Sequence, residues 1–409
     1  MRVLVVSQYF WPESFRINEV VRTLVEKGVE VDVLTGKPNY PEGTIFAGYR
    51  AWGCQAMPWA GATVFRLPLV PRGARSAWKL VLNYLSFVAM GMLFGPWMLR
   101  KQQYDVIFVY APSPILQALP ALWLGWLKRC KVVVWVQDLW PESLSATGYV
   151  RNRTVLKMVE RVVRFIYRHV DLLLVQSEAF VGPVSVLASD TSVKYFPNSV
   201  DESFSVPTTV EVPDVPGLEG KFSIMFAGNI GTAQAVEVIV EAATLLKEQT
   251  DIQFIVLGEG SRRDWMLQEA KDRSLVNLHL PGRFPVETMP GFMQKALVLL
   301  VTLADKEIFG FTIPSKVQAY LAAGRPILAC LNGEGANLVA AAGAGLAVPA
   351  ENGRALAEAI LHLYHMPQAE REAMGARGRL YYEKHFAHDM LADQLVGHLQ
   401  SVCEHKKEI

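Results

Sequence analysis

Three cations stand where helices are expected to begin, at the end that favours anions. Lys316 lies in the segment FGFTIPSKVQAYLAAG, residues 309–324. Pro314 and Ser315 are residues that start helices, so Lys316 falls in a first turn. Arg262 and Arg263 occupy the same place after Gly258-Glu259-Gly260-Ser261. A helix N-terminus carries unpaired N–H groups and the positive end of the dipole, so a cation there gains nothing in stability. A bound diphosphate would account for all three; a solvated lysine is the plainer alternative. Two glycine turns, Gly228-Asn229-Ile230-Gly231 and Gly258-Glu259-Gly260, each follow an expected strand. Glycine lets a ligand approach the backbone, and the next helix offers N–H groups to an anion. Neither turn is a complete dinucleotide fingerprint or a phosphate-binding Walker loop.

The carboxylates able to steady a reacting centre are Asp138 and Glu142, in Gln137-Asp138-Leu139-Trp140-Pro141-Glu142-Ser143. Asp138 or Ser143 could instead cap the segment that follows. Two long polar loops also follow expected strands. Residues 7–18 (SQYFWPESFRIN) hold Glu13 and Arg16, and residues 35–50 (TGKPNYPEGTIFAGYR) hold Asn39 and Tyr40. Long irregular loops at strand ends usually carry function. The sequence has no D-x-D pair, no Ser-His-Asp set and no His/Cys cluster for a metal. Its four cysteines are far apart without zinc spacing, which reads as free thiols in a reducing compartment.

The elements that must position these residues alternate. Short β-branched runs are interleaved with helical patterns, the sequence form of a parallel sheet covered by helices. The expected strands are 3–6, 30–34, 106–110, 132–136, 172–176 and 193–196, then 223–227, 253–257, 276–278, 297–302, 327–329 and 346–348. Helices are expected at 235–249 and 315–323, and over 378–402 with its Tyr381-Tyr382 pair. At about 100–200 residues per domain, 409 residues suggest two domains. Residues 207–220, rich in proline (PTTVEVPDVPGLEG), read as the linker. The expectation is an α/β protein of two Rossmann-like domains facing each other across a cleft. The first is 1–206, joined by a returning helix at 385–409, and the second is 221–384. The formal charge of +1 gives no bulk electrostatic case for nucleic acid. The chain opens directly on a strand with no secretory pattern ahead of it, so a cytoplasmic location is expected.

The 20 residues from Leu80 to Leu99 carry no charge and are long enough to cross a bilayer. A single span would put strands of one sheet on opposite sides of the membrane, and Asn83, Ser86 and Pro96 interrupt the run. The remaining readings are a core helix, or a helix lying in the membrane surface with Trp78 and Trp97 near its ends and Arg72, Arg75, Lys79, Arg100 and Lys101 flanking it. The Trp-rich piece LWLGWLKRCK, residues 122–131, has the same character.

Over essentially its whole length the chain resembles family-4 glycosyltransferases of the GT-B fold, in particular the branch of O-antigen fucosaminyltransferases and related capsule and exopolysaccharide enzymes. TGKPNYPEGTIFAGYR, LNYLSF, QDLWPESL, FPNSVD, FAGNIG, LGEG, PGRFP and IPSKVQAYLAAGRPIL carry the likeness. The resemblance implies retaining transfer without a bound metal or other cofactor, from a nucleotide sugar, UDP-linked and N-acetylated or 6-deoxy amino in type. The C-terminal domain would hold the donor through Gly228, Asn229, Gly231, Gly258, Glu259, Gly260, Arg262, Arg263, Arg283, Phe284, Ser315, Lys316 and Gln318. The N-terminal domain would dock an undecaprenyl-diphosphate-linked glycan through Glu13, Arg16, Asn39, Tyr40 and Gln137, with Asp138, Glu142 and Lys316 catalytic. The enzyme would sit on the inner face of the plasma membrane through Leu80–Leu99.

Three departures matter. The family's E-x7-E glutamates are Phe311 and Ala319 here, which leaves Gln318 as the candidate for the ribose. GNIGTAQA lacks the family's diphosphate-binding Arg and Lys, which shifts weight to Lys316 and the Arg262–Arg263 pair. Gln137 stands where many relatives have His. A nucleotide-dependent oxidoreductase and a two-lobed binding protein are the rival readings.

Overall fold

Runs such as VVVWV and FIVL are apolar on both faces, as strands of a parallel sheet buried between helices must be. In the computed structural model, which describes residues 1–73, 77–146, 152–200, 204 and 210–404, they form two sheets. Arg75, Asp201 and the start of the expected linker at Pro207 lie outside the described residues. The chain divides into unit 1, Met1–Pro197 with Asp389–Ile409, and unit 2, Asn198–His388.

Unit 1 contains β1 (Arg2–Val6), β2 (Glu30–Gly36), β3 (Gln55–Trp59), β4 (Ala62–Leu67), β5 (Val106–Ala111), β6 (Lys131–Val136), β7 (Leu172–Val175) and β8 (Val193–Tyr195). Their order is β3-β4-β2-β1-β5-β6-β7-β8, parallel except for the β3–β4 hairpin. Unit 2 contains β9 (Phe222–Ala227), β10 (Ile252–Leu257), β11 (Leu278–Gly282), β12 (Val298–Thr302), β13 (Ile327–Cys330) and β14 (Gly345–Val348). Their order is β11-β10-β9-β12-β13-β14, all parallel.

The hairpin has no counterpart in the sequence reading. Its outer strand β3 is half exposed and contains Pro58, which an edge strand tolerates. Its turn places Ala60 and Gly61 at φ +46° and +83°, as a two-residue hairpin turn requires. The strand expected at 276–278 lies further on, at β11, because Val276 is 76% exposed and the core contact begins at Leu278.

The single helix expected over 378–402 is two helices, Gln368–His385 and His388–Glu404. The break, at the buried Phe386, is where the chain leaves unit 2. The second helix returns Leu391, Leu395, Leu399 and Val402 to the unit 1 core, against Ile17, Val21 and Leu24. The boundary at Pro197 precedes the expected linker because Val200, Val215 and Leu218 belong to the unit 2 core. Ser199 and His388, at the two points where the chain enters and leaves unit 2, are buried and joined by a 2.9 Å hydrogen bond, Ser199 Oγ to His388 Nδ1.

The apolar run forms the helix Ala77–Met98, which connects β4 to β5 within one sheet and so cannot be a span. Asn83, Phe87, Gly91 and Gly95, four residues apart, form its buried side, and Leu99 just beyond its end is buried too. Trp78, at 68% exposed, and Leu93, at 66%, lie on the other. The helix is half core and half surface, between the two readings the sequence left open.

Leu399 is fully buried, so Leu399→Ala should destabilise unit 1 by about 2–5 kcal/mol. Urea unfolding measures this; an unchanged midpoint would mean that the last helix is dispensable.

Candidate functional site

In an open parallel sheet ligands bind beyond the carboxyl ends of the strands, where the chain order reverses. In unit 2 this point lies between β9 and β12. The loop after β9 is laid directly on the loop after β10. Gly228 N donates to Leu257 O at 2.9 Å, Ile230 N to Glu259 O at 2.8 Å, and Arg262 N to Ile230 O at 2.9 Å. Gly258 has φ +143°, and a Cβ there would lie 1.8 Å from Gly228 O. Gly260 presses in the same way on Ile230 O. These two glycines therefore serve loop-on-loop contact before any ligand arrives, a use the sequence reading did not assign.

Gly228 makes room for Lys316. A Cβ at Gly228, whose φ is +139°, would stand 2.6 Å from Lys316 Cε. The helix Ser315–Ala323 starts as expected and carries Lys316 in its first turn. Its Nζ is shut from solvent, has no hydrogen-bond partner among the described residues, and sits 3.6 Å from the centroid of the Phe226 ring. A desolvated cation over an aromatic face gains about 2 kcal/mol, whereas desolvating an ammonium costs several. The second effect wins, and burial pulls the Lys316 pKa down to about 7.

The arginines differ. Arg262 pairs with Glu237 at 2.5 Å and lies over the Trp265 ring, and Arg263 pairs with Glu259 at 3.4 Å and donates to Leu280 O. Arg263 opens the helix Arg263–Asp272 and Arg262 stands just before it rather than in its first turn; existing carboxylates already answer both, so the case from unmatched cations narrows to Lys316. Asn229 Nδ2 donates to Gln234 Oε1 at 3.2 Å; Gly228 and Ser315 are exposed, whereas Gly231 is buried. Arg283 is exposed, while Phe284 packs on Phe292 with centroids 4.8 Å apart and serves the core. Gln318, expected to replace the ribose-binding glutamate, is 1% exposed and has an unpaired Oε1. It lies under the surface rather than on it, and Ala319 beside it is core.

In unit 1 the expected acceptor residues divide in two. Glu13 and Asn39 are buried and tie loops together. Glu13 accepts from Asn39 N at 2.8 Å, Tyr40 N at 2.7 Å and Phe10 N at 3.2 Å. Asn39 Oδ1 accepts from Arg72 N and from Asn83 Nδ2. Gln8 donates its side-chain amide to Asn83 Oδ1 and its backbone N–H to Gln117 Oε1, so the loops after β1, β2 and β5 share one network. Burial raises the Glu13 pKa to about 7 against the three N–H groups that hold it down. These two residues position the loops; they do not present groups to an acceptor. Tyr40 does reach the surface, beside Tyr9 and Phe15 and under Arg72, 4.9 Å from its ring centroid.

Asp138 follows β6, and burial lifts its carboxyl above the usual range against a hydrogen bond from the Ser113 backbone. Glu142 is exposed at the start of the short helix Glu142–Ala146. Two buried phenols not singled out from the sequence complete this end. Tyr110 is raised to about 12, chiefly by burial, with Arg16 and Asp138 acting on it, and Tyr167 is raised by burial with Glu142 and Asp138 nearby. A strand and an amphipathic helix hide both among core residues, and only periodicity could have pointed to their faces. Gln137 lies between β6 and Asp138, its carbonyl accepting from Gln176 Nε2 at 3.0 Å.

Lys316→Met should stabilise the protein by about 1–3 kcal/mol near neutral pH, since it removes a buried ammonium. The gain should shrink as pH rises from about 7 towards the free-lysine value of 10.5. In that window the unfolded lysine holds a proton that the folded one has lost, so wild-type stability rises with pH. Urea titrations of both proteins across this range test it; parallel curves would contradict the burial of the charge.

Comparison with known proteins adds the family. Residues 14–198 match the family described as Glycosyl transferase 4-like domain, and residues 221–366 match Glycosyl transferases group 1. A protein named glycosyltransferase WbjE, of Pseudomonas aeruginosa, is 26% identical over 62% of this chain and 64% of its own length. A protein named as the colanic acid biosynthesis glycosyl transferase WcaI, of Escherichia coli, is 26% identical over 79% of this chain and 82% of its own. Sucrose-phosphate synthase from Thermosynechococcus elongatus superposes with TM-score 0.74 at 16% identity, covering 98% of each chain. Anabaena Alr3699/HepE in complex with UDP superposes with TM-score 0.70 at 12% identity, covering 98% of this chain and 100% of its own. Both matched families are transferases, which sets aside the oxidoreductase and binding-protein readings. With two parallel α/β units and both halves matched, the chain belongs to the family-4 glycosyltransferases of the GT-B fold.

Proposed function

We propose that the protein transfers a sugar, with retention of configuration, from a nucleotide-diphosphate donor to a lipid-linked glycan during assembly of a bacterial surface polysaccharide. The observation that carries this reading is the buried Lys316 ammonium, without a hydrogen-bond partner among the described residues, beside the exposed Gly228. The names of WbjE and WcaI support the transfer, and that of WcaI supports the polysaccharide context. The UDP in the HepE structure favours UDP as the nucleotide. An N-acetylated or 6-deoxy amino sugar, and an undecaprenyl-diphosphate-linked acceptor, follow from the resemblance to the O-antigen branch.

In this reading the anomeric C–O bond breaks and its electron pair goes to the diphosphate oxygen. Protonated Lys316 and the N–H groups of the helix start stabilise that charge. The acceptor hydroxyl adds to the same face of the sugar and its proton passes to the leaving phosphate. No enzymic nucleophile and no resident metal are required. Asp138, with Glu142, orients the acceptor or steadies the positive charge developing on the sugar. The helix Ala77–Met98 holds the enzyme to the cytoplasmic face of the membrane, where a lipid-linked acceptor lies.

Because diphosphate requires the charged lysine, UDP binding above about pH 7 should take up a proton, and affinity should fall by up to about tenfold per pH unit. Calorimetry in buffers of different ionisation enthalpy measures the uptake. Lys316→Ala should lose about 10²–10³-fold in turnover and abolish the uptake. Wild-type turnover in that variant would sink the diphosphate assignment.

A further inference from the structure

We propose that the outer surface of three helices of unit 1, Ala77–Met98, Ala118–Lys128 and Arg153–Arg168, forms one docking face for a bilayer rich in anionic phospholipid. The proposal rests on the membrane-acceptor reading and extends it from one helix to a face with a charge preference.

Topology puts the three helices together. They make the crossovers β4 to β5, β5 to β6 and β6 to β7, which all step in one direction along the sheet. Parallel crossovers are right-handed, so the three helices cover the same side. The first two interlock where Gly91 meets Pro120 and Gly95 meets Leu124. Their inner sides meet Leu34, Leu67, Ile107 and Val132 of the sheet.

Outward, each helix exposes large apolar groups. Trp126, stacked on Trp123, is 70% exposed, and Trp78, Leu93, Met158 and Phe165 are also prominent. Single exposed apolar residues need no explanation, but several on one layer mark an interaction surface.

The charge on this layer is one-sided. The first two helices and the residues just after them, 77–101 and 118–129, carry Lys79, Arg100, Lys101, Lys128 and Arg129 and no acid, in a chain whose formal charge is only +1. The third helix adds five more cations against Glu160, which is engaged by Arg164 at 2.5 Å. Lys128 is occupied, donating to Leu99 O and Gln102 O. Lys79, Arg100, Lys101, Arg153, Lys157 and Arg161 are exposed. Trp97, Arg100 and Lys101 share the wall of a cavity of about 330 Å³, so an anionic headgroup there would meet both cations.

Along the first helix the cations stand only at the ends, with tryptophans beside them and apolar residues between. That pattern fits a helix lying in a membrane surface, and a nucleic acid would call for cations along its length.

The test is co-sedimentation of the full chain with phosphatidylcholine vesicles and with phosphatidylcholine–phosphatidylglycerol vesicles. Binding is expected only to the second, and to weaken with salt. Each cation at an anionic surface contributes about fivefold, so Lys157→Gln with Arg161→Gln should reduce binding by about tenfold or more. Leu93→Ser with Trp126→Ser should reduce it comparably. Both double variants should keep the wild-type melting temperature and its shift with UDP. Equal binding to neutral vesicles, no vesicle binding, association only with a second copy of the chain, or unchanged binding in both variants would each overturn the proposal. A normal UDP shift alongside any of these results would leave the transferase reading intact. Vesicle binding without a UDP shift would fault that reading and not this one.

Discussion

A lysine ammonium shut from water over a phenylalanine ring is the constraint around which unit 2 is arranged. The Lys316 charge fits only because residue 228 has no side chain, and the Gly228 turn keeps its shape only because Gly258 lets a second backbone lie against it. The next layer supports the first: the Tyr320 hydroxyl accepts from Ala227 N at 3.3 Å, anchoring the end of β9 to the helix that carries Lys316. Burying the ammonium weakens the fold, and a diphosphate would turn the same feature into binding. Such an exchange of stability for function is expected at sites that have to meet a charged ligand.

Unit 1 solves a different problem at the corresponding edge of its sheet. Two long loops, after β1 and β2, must hold a shape without regular structure, and a buried polar network anchored on Glu13, Asn39, Asn83 and Gln8 does so. The carboxylate of Glu13 satisfies three backbone N–H groups that would otherwise be buried without partners, at about 1–3 kcal/mol each. What this network leaves at the surface is Tyr40, with Arg72 over its ring. The high apolar content of the chain, 51%, is shared between sheets buried on both faces and the outward side of the helix Ala77–Met98.

Much was legible in the residues alone. Alternating apolar runs and helical patterns prescribed two parallel sheets, because only that arrangement buries strands apolar on both faces. Pro314-Ser315 marked a helix start, and the first-turn lysine marked an anomaly of charge, because capping and dipole effects are local. Expected connectivity argued against a single span by residues 80–99, and the common sheet of β4 and β5 rules it out.

Tertiary structure decided the rest. Glu13 and Asn39 look like ligand-facing loop residues in sequence; they are buried because loops separated by tens of residues close over them. Arg262 and Arg263 look as unmatched as Lys316, yet Glu237 reaches Arg262 from another helix, which no spacing along the chain foretells, and Glu259 reaches Arg263 from four residues before it. The break at Phe386 separates two helices of similar pattern, because it answers to which core each half packs against. The sequence by itself determined the elements and the residues able to bear charge, since those depend on neighbours along the chain. Which charges remain unanswered depends on neighbours in space, and only the fold decides that.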